Sequence, residues 1–141
     1  ADLAAFFTGT PFITYETEDK VVGGEPTSRW TKPTLSLFNE SMYSDGHCYA
    51  SGYTDLNIGT TIGMPVPGTC SFAGWEGLAD GTYWGVVPVS AKNKAGEWME
   101  NNQTEPDIIV KNMPGVISEG RDQQLEKGIE VLLDQVTPKE K

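Results

Sequence analysis

Histidine is the scarcest reactive side chain in this sequence, since the 141 residues contain a single one, His47. A mechanism that uses histidine as a proton acceptor must therefore use His47 or a histidine from outside these residues. Basic residues are also few, at 10 against 20 acidic residues, which gives a formal net charge of −10. Nucleic acids and anionic membranes bind through clustered lysine and arginine, so we expect neither as a partner.

The two cysteines, Cys48 and Cys70, lack Cys-x-x-Cys spacing and indicate neither a disulfide-rich scaffold nor a zinc site. Two buried or half-buried thiols are the simpler interpretation, and a single disulfide stays open. No hydrophobic run approaches the roughly 18 residues of a membrane span, and no signal-peptide pattern opens the sequence. Metal-binding and phosphate-binding motifs are missing as well, so we expect no cofactor.

The length and composition fit one loop-rich domain of the α/β or β-rich class, with 38% hydrophobic residues, 16 glycines and 9 prolines. Residue patterns predict strands at 12–17, 34–38, 60–63, 83–89 and 107–110. The stretch 18–29 is predicted to be a loop or an irregular hairpin arm, and 74–81 a loop. A helix is predicted at 122–136, followed by a frayed tail at 137–141, because one helical face collects the apolar residues Leu125, Ile129, Leu132, Leu133 and Val136.

The segment 34–50 changes from an apolar, strand-like run to a polar turn and then to a helix that starts near Ser44. A serine at such a junction can act as a nucleophile, because backbone N–H groups of the first helical turn stabilise negative charge beside it. Ser44 and Asp45 also fit an N-cap role, in which a side chain satisfies the first free amides of the helix. The residues alone leave both interpretations open.

Two further side chains are candidates for supporting chemistry. His47 follows Ser44 by three residues, and side chains at that spacing share a helix face. A base and its nucleophile normally come from separate segments, however, so an ordinary surface or core histidine is the favoured interpretation. Glu100 is expected at a strand end, where a carboxylate facing a cleft can orient a base, although it also fits an ordinary surface acid.

Several motifs occur together in an order that resembles the S41 serine peptidases, the tail-specific peptidases, and within them the tricorn-like branch. They are the segment 34–50, the glycine- and proline-rich segment 56–69, the pattern Glu-Asn-x-x-x-x-Pro-Asp-Ile from Glu100 and the helix from Asp122. The resemblance covers residues 2–136 but corresponds only to the second half of the family's catalytic domain. It implies an α/β fold of the ClpP/crotonase-like type, with a mixed sheet and flanking helices.

The resemblance also implies roles for individual residues. Ser44 matches the nucleophilic serine, and Asp45 matches the next residue, whose backbone N–H forms part of the oxyanion hole. Glu100 matches the glutamate of a Ser-His-Ser-Glu tetrad, which orients the histidine through a second serine. Thr69 stands where the processing branch has its lysine base, so no Ser/Lys dyad is implied. The tetrad's histidine and second serine belong to an upstream region that this sequence does not contain, and His47 does not match them.

These matches lead to an expectation for the whole protein. Residues 1–136 are expected to form the C-terminal portion of an S41 catalytic domain that hydrolyses peptide bonds in unstructured peptides or protein tails. The missing N-terminal half, with or without a PDZ-like domain, is the expected partner that supplies the base, so this chain alone should be inactive. A sequence that opens at Ala1 rather than at methionine favours a mature or excised piece. Family members suggest a bacterial periplasm or envelope, although no residue here assigns a compartment.

Two alternatives compete with this expectation. A non-catalytic, peptidase-like ligand-binding module, similar to the retinoid-binding relatives of the family, would reduce Ser44 to an N-cap. A stand-alone α/β hydrolase using Ser44 and His47 ranks last, because the sequence lacks the Gly-x-Ser-x-Gly elbow and a separate base.

Overall fold

The computed structural model describes residues 6–137, which form seven strands, two helices and one short 3-10 turn. The strands are β1 (Ile13–Glu16), β2 (Val21–Glu25), β3 (Leu35–Phe38), β4 (Thr60–Gly63), β5 (Ser71–Gly77), β6 (Tyr83–Ser90) and β7 (Ile108–Ile109). The helices are α1 (Asp45–Asp55) and α2 (Gln123–Val136), and the 3-10 turn is Ile117–Glu119. Residues 6–8 are also helical; most of the helix tail predicted at 2–7 and of the frayed tail at 137–141 lies outside the described residues.

The central sheet contains three parallel strands in the order β3-β4-β7, and two antiparallel hairpins, β1-β2 and β5-β6, stand apart from it. β3 and β4 pair in register from Leu35 opposite Thr60 to Phe38 opposite Gly63. Gly63 closes β4 at a φ of 135°, and a Cβ at this position would collide with the Phe38 carbonyl. The chain therefore leaves the sheet at a point that only glycine fits.

Side chains alternate across β3, which places one helix on each face of the sheet. Leu35 and Leu37 point to α2, where a Cβ on Gly128 would lie 3.4 Å from each of them. On the other face, Phe38 packs in the fully buried core with Ala50 of α1 and with Val66. A parallel sheet needs cover on both faces, and this arrangement confirms the predicted α/β fold with strands and flanking helices.

The prediction of a loop at 74–81 is wrong for residues 74–77, because residues 71–77 form β5 and pair with β6, and it is confirmed for residues 78–81, which form the hairpin turn. Glycines in this strand hid its character, since a strand glycine offers no side chain to pack. Aromatic rings from the partner strands cover two of the glycine positions of the hairpin. A Cβ on Gly85 would lie 3.0 Å from the Trp75 ring, and one on Gly77 would lie 3.5 Å from Tyr83. Pro88 of β6 lies at a bulge, where a residue without a backbone N–H is tolerated, since the register shifts opposite it between Phe72 and Gly74.

Helix α2 is confirmed, and its N-cap is Asp122, whose carboxylate accepts the amides of Gln124 and Leu125. Most of the apolar stripe predicted for this helix is not buried in the described structure. The buried positions are Gln124 and Gly128, whereas four residues of the stripe are about half exposed: Leu125, Ile129, Leu133 and Val136. Among the described residues, this stripe is therefore left largely uncovered. None of the described helices is long and apolar enough to cross a membrane.

Candidate active site

Ser44 occupies a strained backbone position between the polar turn and α1. Its φ is 53° and its ψ is −111°, a combination that costs a residue with a side chain on the order of 1–3 kcal/mol. Gly46, two residues later, allows the tight entry into the helix, because a Cβ there would lie 3.2 Å from Met42 Cβ. A serine held in a strained turn before a helix is the arrangement that exposes a nucleophilic hydroxyl in other hydrolases.

The N-cap interpretation of Ser44 describes its backbone but not its side chain. The Ser44 carbonyl accepts the amides of His47 and Cys48, at 2.9 and 3.1 Å, and so starts the helix. The Ser44 hydroxyl makes no capping bond to the described helix. An N-cap serine commonly bonds to the first amides of its helix, but the Ser44 hydroxyl does not and is available for another role.

Asp45 is the first residue of α1, so its backbone N–H belongs to the amides that have no partner within the helix. Those amides carry the positive end of the helix dipole, which favours an anion beside Ser44. The position fits the oxyanion-hole role predicted for the Asp45 amide, which stays a prediction.

Thr69 holds the Ser44 backbone from a different segment, the loop that follows β4. The Thr69 hydroxyl oxygen accepts the Ser44 amide at 3.0 Å and donates its own proton to the Pro67 carbonyl at 3.4 Å. Sequence comparison pointed to Thr69 only as the residue that replaces a lysine. Its contact with Ser44 depends on tertiary packing, and no local pattern signals it.

His47 is buried, with 1% of its surface exposed, and its ring connects α1 to two other segments. Its Nδ1 accepts the backbone amides of Thr69 and Cys70, both at 3.1 Å, and its Nε2 lies 3.0 Å from the Thr104 hydroxyl. Because Nδ1 accepts two N–H groups, the ring proton sits on Nε2 and is donated to Thr104. Burial lowers the pKa of His47 below its usual 6.5, and the negative charge of Glu100 opposes part of that shift. His47 is therefore a neutral core histidine, which agrees with the favoured interpretation of the sequence.

A disulfide between Cys48 and Cys70 joins α1 to the same loop, with a Cα–Cα distance of 5.2 Å. The interpretation as two thiols is wrong, and the alternative of a single disulfide is correct. The bond lies one residue from His47 on one side and one residue from Thr69 on the other. A covalent link and three hydrogen bonds thus hold the loop against the start of α1.

Glu100 lies on the far side of this loop. Its Oε2 accepts the Ser71 hydroxyl at 2.5 Å, and the carboxylate is exposed. Ser71 is two residues from Thr69, so the short stretch 69–71 contacts Ser44 at one end and Glu100 at the other. Sequence reasoning missed Ser71, because a serine next to a cysteine at the start of a strand has no distinguishing pattern.

The setting of Glu100 differs from the predicted strand end, since the residue lies in a turn. Lys92 and Trp98 form an isolated bridge around a turn, which the Gly96 conformation (φ 83°) closes. The turn docks on the end of α1, where the Lys94 amide donates to Asp55 Oδ2 at 3.1 Å. The helix that begins at Ser44 thus also supports the segment that leads to Glu100.

The structure therefore brings together Ser44, the Asp45 amide and the segment of Glu100 around one loop. It places His47 behind them as a structural residue. The described part of the chain contains no cluster of three or more His, Cys, Asp or Glu side chains that could hold a metal ion.

An α/β fold with a serine at a strained helix N-terminus is typical of hydrolases that use a serine nucleophile. Residues 4–110 match the family described as peptidase family S41. The match extends over more than half of the chain, so the chain belongs to peptidase family S41, a family of serine-type peptidases.

Individual relatives agree with this assignment. The tricorn protease of Thermoplasma volcanium is 29% identical over 103 residues, which are 72% of this chain and 10% of that protein. The crystal structure of tricorn protease matches with a TM-score of 0.77 at 20% identity, over 91% of this chain and 13% of the other. A putative peptidase from Parabacteroides merdae matches with a TM-score of 0.71 at 20% identity, over 97% and 49%. The chain thus spans between a tenth and a half of the length of these relatives.

Proposed function

We propose that this chain carries the nucleophile side of a serine peptidase active site. Ser44 attacks the peptide carbonyl, and the Asp45 amide donates to the oxyanion that forms. Glu100 supports the histidine that removes the proton from Ser44 Oγ, and that histidine comes from outside these residues. The observation that carries the proposal is the geometry of Ser44. Its backbone is strained, with a φ of 53°, and its side-chain hydroxyl does not cap α1.

The base must come from outside this chain, because both ring nitrogens of its only histidine already form hydrogen bonds. His47 is buried, its Nδ1 accepts two amides and its Nε2 proton is donated to Thr104. A general base needs a free nitrogen within hydrogen-bonding distance of the proton that it removes. Glu100 is exposed and Oε2 accepts a single bond from Ser71, so the carboxylate can accept a further donor from an incoming segment.

We infer that residues 1–136 form the C-terminal portion of the catalytic domain and that the missing portion covers apolar surface seen on this chain. The uncovered stripe of α2 and the β5-β6 hairpin support this inference. Large hydrophobic side chains of the hairpin are exposed on both of its faces: Phe72, Trp75, Tyr83, Trp84, Val86, Val87 and Val89. Apolar patches of this extent mark interaction surfaces in soluble proteins.

The substrates proposed are unstructured peptides or the unfolded tails of proteins, as the family membership suggests. An active site assembled around a short loop and a helix N-terminus accepts a chain only when its backbone is accessible. Peptides of varied C-terminal sequence, compared with a folded protein of the same composition, test this class. Cleavage of the folded protein at the same rate as the peptides would contradict it.

The experiment for the nucleophile uses a fluorophosphonate probe on a protein in which this chain follows the upstream part of its domain. We expect the probe to form a covalent bond to Ser44 Oγ, located by peptide mass spectrometry, and Ser44→Ala to abolish it. Glu100→Gln should lower kcat and leave Ser44 in place, because the amide cannot offer a charge to the histidine. Unchanged labelling in Ser44→Ala would refute the proposal, and complete absence of labelling in the parent would favour a non-catalytic binding module.

A further inference from the structure

The Ser44 backbone is held by one contact that no assigned role explains. Its amide donates to Thr69 Oγ1 at 3.0 Å, across 25 residues of sequence. A backbone in a sparsely populated conformation persists only when neighbouring groups hold it there. Within the described structure, the Thr69 hydroxyl is the side chain that bonds to the Ser44 amide.

The Thr69 hydroxyl is oriented for this contact. Its proton points to the Pro67 carbonyl at 3.4 Å, which leaves the oxygen lone pairs to face the Ser44 N–H. A serine could make both bonds, whereas a valine of nearly the same shape could make neither. The contact is therefore chemically specific to a hydroxyl.

Thr69 is held in turn by a residue of the helix that Ser44 begins. The Thr69 amide donates to His47 Nδ1 at 3.1 Å, and the Cys70 amide donates to the same atom. His47 is fixed on its other side by Thr104 at 3.0 Å. The helix turn from Ser44 to His47 and the two bonds through Thr69 close a small ring, with the Cys48–Cys70 disulfide directly beside it.

We propose that Thr69 is a positioning residue for Ser44 and that His47 is the buried group that holds Thr69 in place. This proposal rests on the proposed function of Ser44 as the nucleophile. In this role Thr69 acts by fixing the Ser44 backbone and so the direction of the hydroxyl. Displacement of a reacting group by about 1 Å can cost on the order of 100-fold in rate, so a single backbone contact can matter for kcat.

The test compares Thr69→Val with Thr69→Ser. Both variants keep the Thr69 amide and therefore the bond to His47, and they differ in whether a side-chain oxygen faces Ser44. The first readout is hydrogen exchange of the Ser44 amide in this 141-residue chain, which requires no activity. We expect exchange to be at least about 10-fold faster in Thr69→Val and close to the parent in Thr69→Ser. Thr54→Val, at an exposed position of α1, is the matched control and should leave the Ser44 amide unchanged.

The second readout is peptide hydrolysis by the protein in which this chain follows the upstream part of its domain. We expect Thr69→Val to lower kcat about 10- to 100-fold with little change in KM, and Thr69→Ser to restore most of kcat. A purely structural role would lower the amount of folded protein instead and would not separate kcat from KM. If Thr69→Val does not fold, Thr69→Ala removes the hydroxyl without placing a methyl group where the oxygen was.

The two readouts separate this proposal from the function on which it rests. Unchanged Ser44 exchange in the folded valine or alanine variant overturns the positioning role, whatever the activity. Equal loss of kcat in the valine and serine variants overturns it as well. An inactive parent protein would contradict the nucleophile role of Ser44, while the exchange experiment would still decide whether Thr69 holds its backbone.

Discussion

His47 illustrates how a side chain that suggests catalysis can serve the structure instead. Three residues separate it from Ser44, yet its ring faces the loop at 69–70, where Nδ1 accepts two backbone amides. A protonated imidazole donates at both nitrogens, so protonation would convert Nδ1 from an acceptor into a donor facing two other donors. The described fold therefore requires the neutral form of His47.

This requirement predicts a pH dependence of stability. The pKa of His47 in the folded chain lies below 6.5 because burial disfavours the charged ring, and Glu100 offsets only part of this effect. Below pH 6.5 the unfolded chain binds a proton that the folded chain does not, so stability is complete above that pH and falls as pH falls below it. The loss approaches about 1.4 kcal/mol per pH unit until the folded pKa is reached.

Urea unfolding at about pH 7.5 and about pH 5.5 measures this effect, since carboxylates change little in that window. His47→Asn is the matched control, because an amide oxygen can accept near the Nδ1 position but does not titrate. We expect the unfolding free energy of the parent to fall more than that of the variant over this range. Equal changes in the two proteins would mean that His47 has the same pKa in the folded and unfolded chain.

At the scale of elements, α1 is the part of the molecule to which the candidate site is attached. Its first residue follows Ser44, its fourth is covalently linked to Cys70, and its last, Asp55, accepts the Lys94 amide. The loop after β4 and the turn before Glu100 are thus both fixed to one helix. Movement of the loop relative to Ser44 would break contacts at the start of α1, and movement of the turn would break the contact at its end.

The disulfide is the strongest of these links, and we expect its removal to destabilise the chain substantially. The two cysteines are 22 residues apart. Closing a loop of that size lowers the conformational entropy of the unfolded chain, which stabilises the folded state by roughly 3 kcal/mol. Thermal unfolding of the Cys48→Ala/Cys70→Ala variant should show a lower Tm in oxidising buffer. The parent with added reductant should approach the same Tm, and a Tm that is insensitive to both changes would contradict the expectation.

Helix α2 depends in a similar way on its N-cap. Asp122 accepts the amides of Gln124 and Leu125 at 3.0 and 3.1 Å and the Asn112 side chain at 3.0 Å. We expect Asp122→Ala to lower the free energy of unfolding by about 1 kcal/mol and Asp122→Asn to retain most of it, because asparagine is also a good cap. Denaturant unfolding of the two variants checks this, and equal losses would argue against a capping role.

The elements differ in how well the sequence predicted them, and the difference has a physical basis. The existence of β3 and α2 follows from their side-chain patterns and that of β4 from a short apolar run, although the apolar face of α2 is not its buried face. β5 was not predicted because its glycines add no side chain to a strand pattern, and its pairing with β6 is a tertiary contact. The candidate residues Ser44 and Glu100 came from family motifs, whereas Thr69, Ser71 and Thr104 became visible only through long-range hydrogen bonds.

At the scale of the whole molecule, much apolar surface lies outside the core. The fully buried hydrophobic cluster contains Phe38, Ala50 and Val66, with Met42 and Tyr49 partly buried against it. The hairpin β5-β6 and the stripe of α2 are exposed, while the chain carries a formal net charge of −10 that favours solubility. These properties fit the proposal that further polypeptide completes the catalytic domain.

The same proposal predicts that this chain alone lacks peptidase activity. A serine hydroxyl without a base reacts slowly near neutral pH, and loss of general-base catalysis typically costs on the order of 100- to 10,000-fold. Fluorophosphonate labelling of Ser44 should therefore be at least about 100-fold slower in the isolated chain than in the protein that includes the upstream part.

Joining the upstream part should also change the pH profile of labelling. The isolated chain depends on solvent hydroxide, so its rate should rise about 10-fold per pH unit, whereas a histidine base gives a plateau above its pKa. His47→Asn separates the sources of any residual rate, because a histidine base within this chain would be lost in that variant. Labelling of the isolated chain that reaches a plateau near neutral pH, and that disappears in His47→Asn, would show that the chain carries its own base.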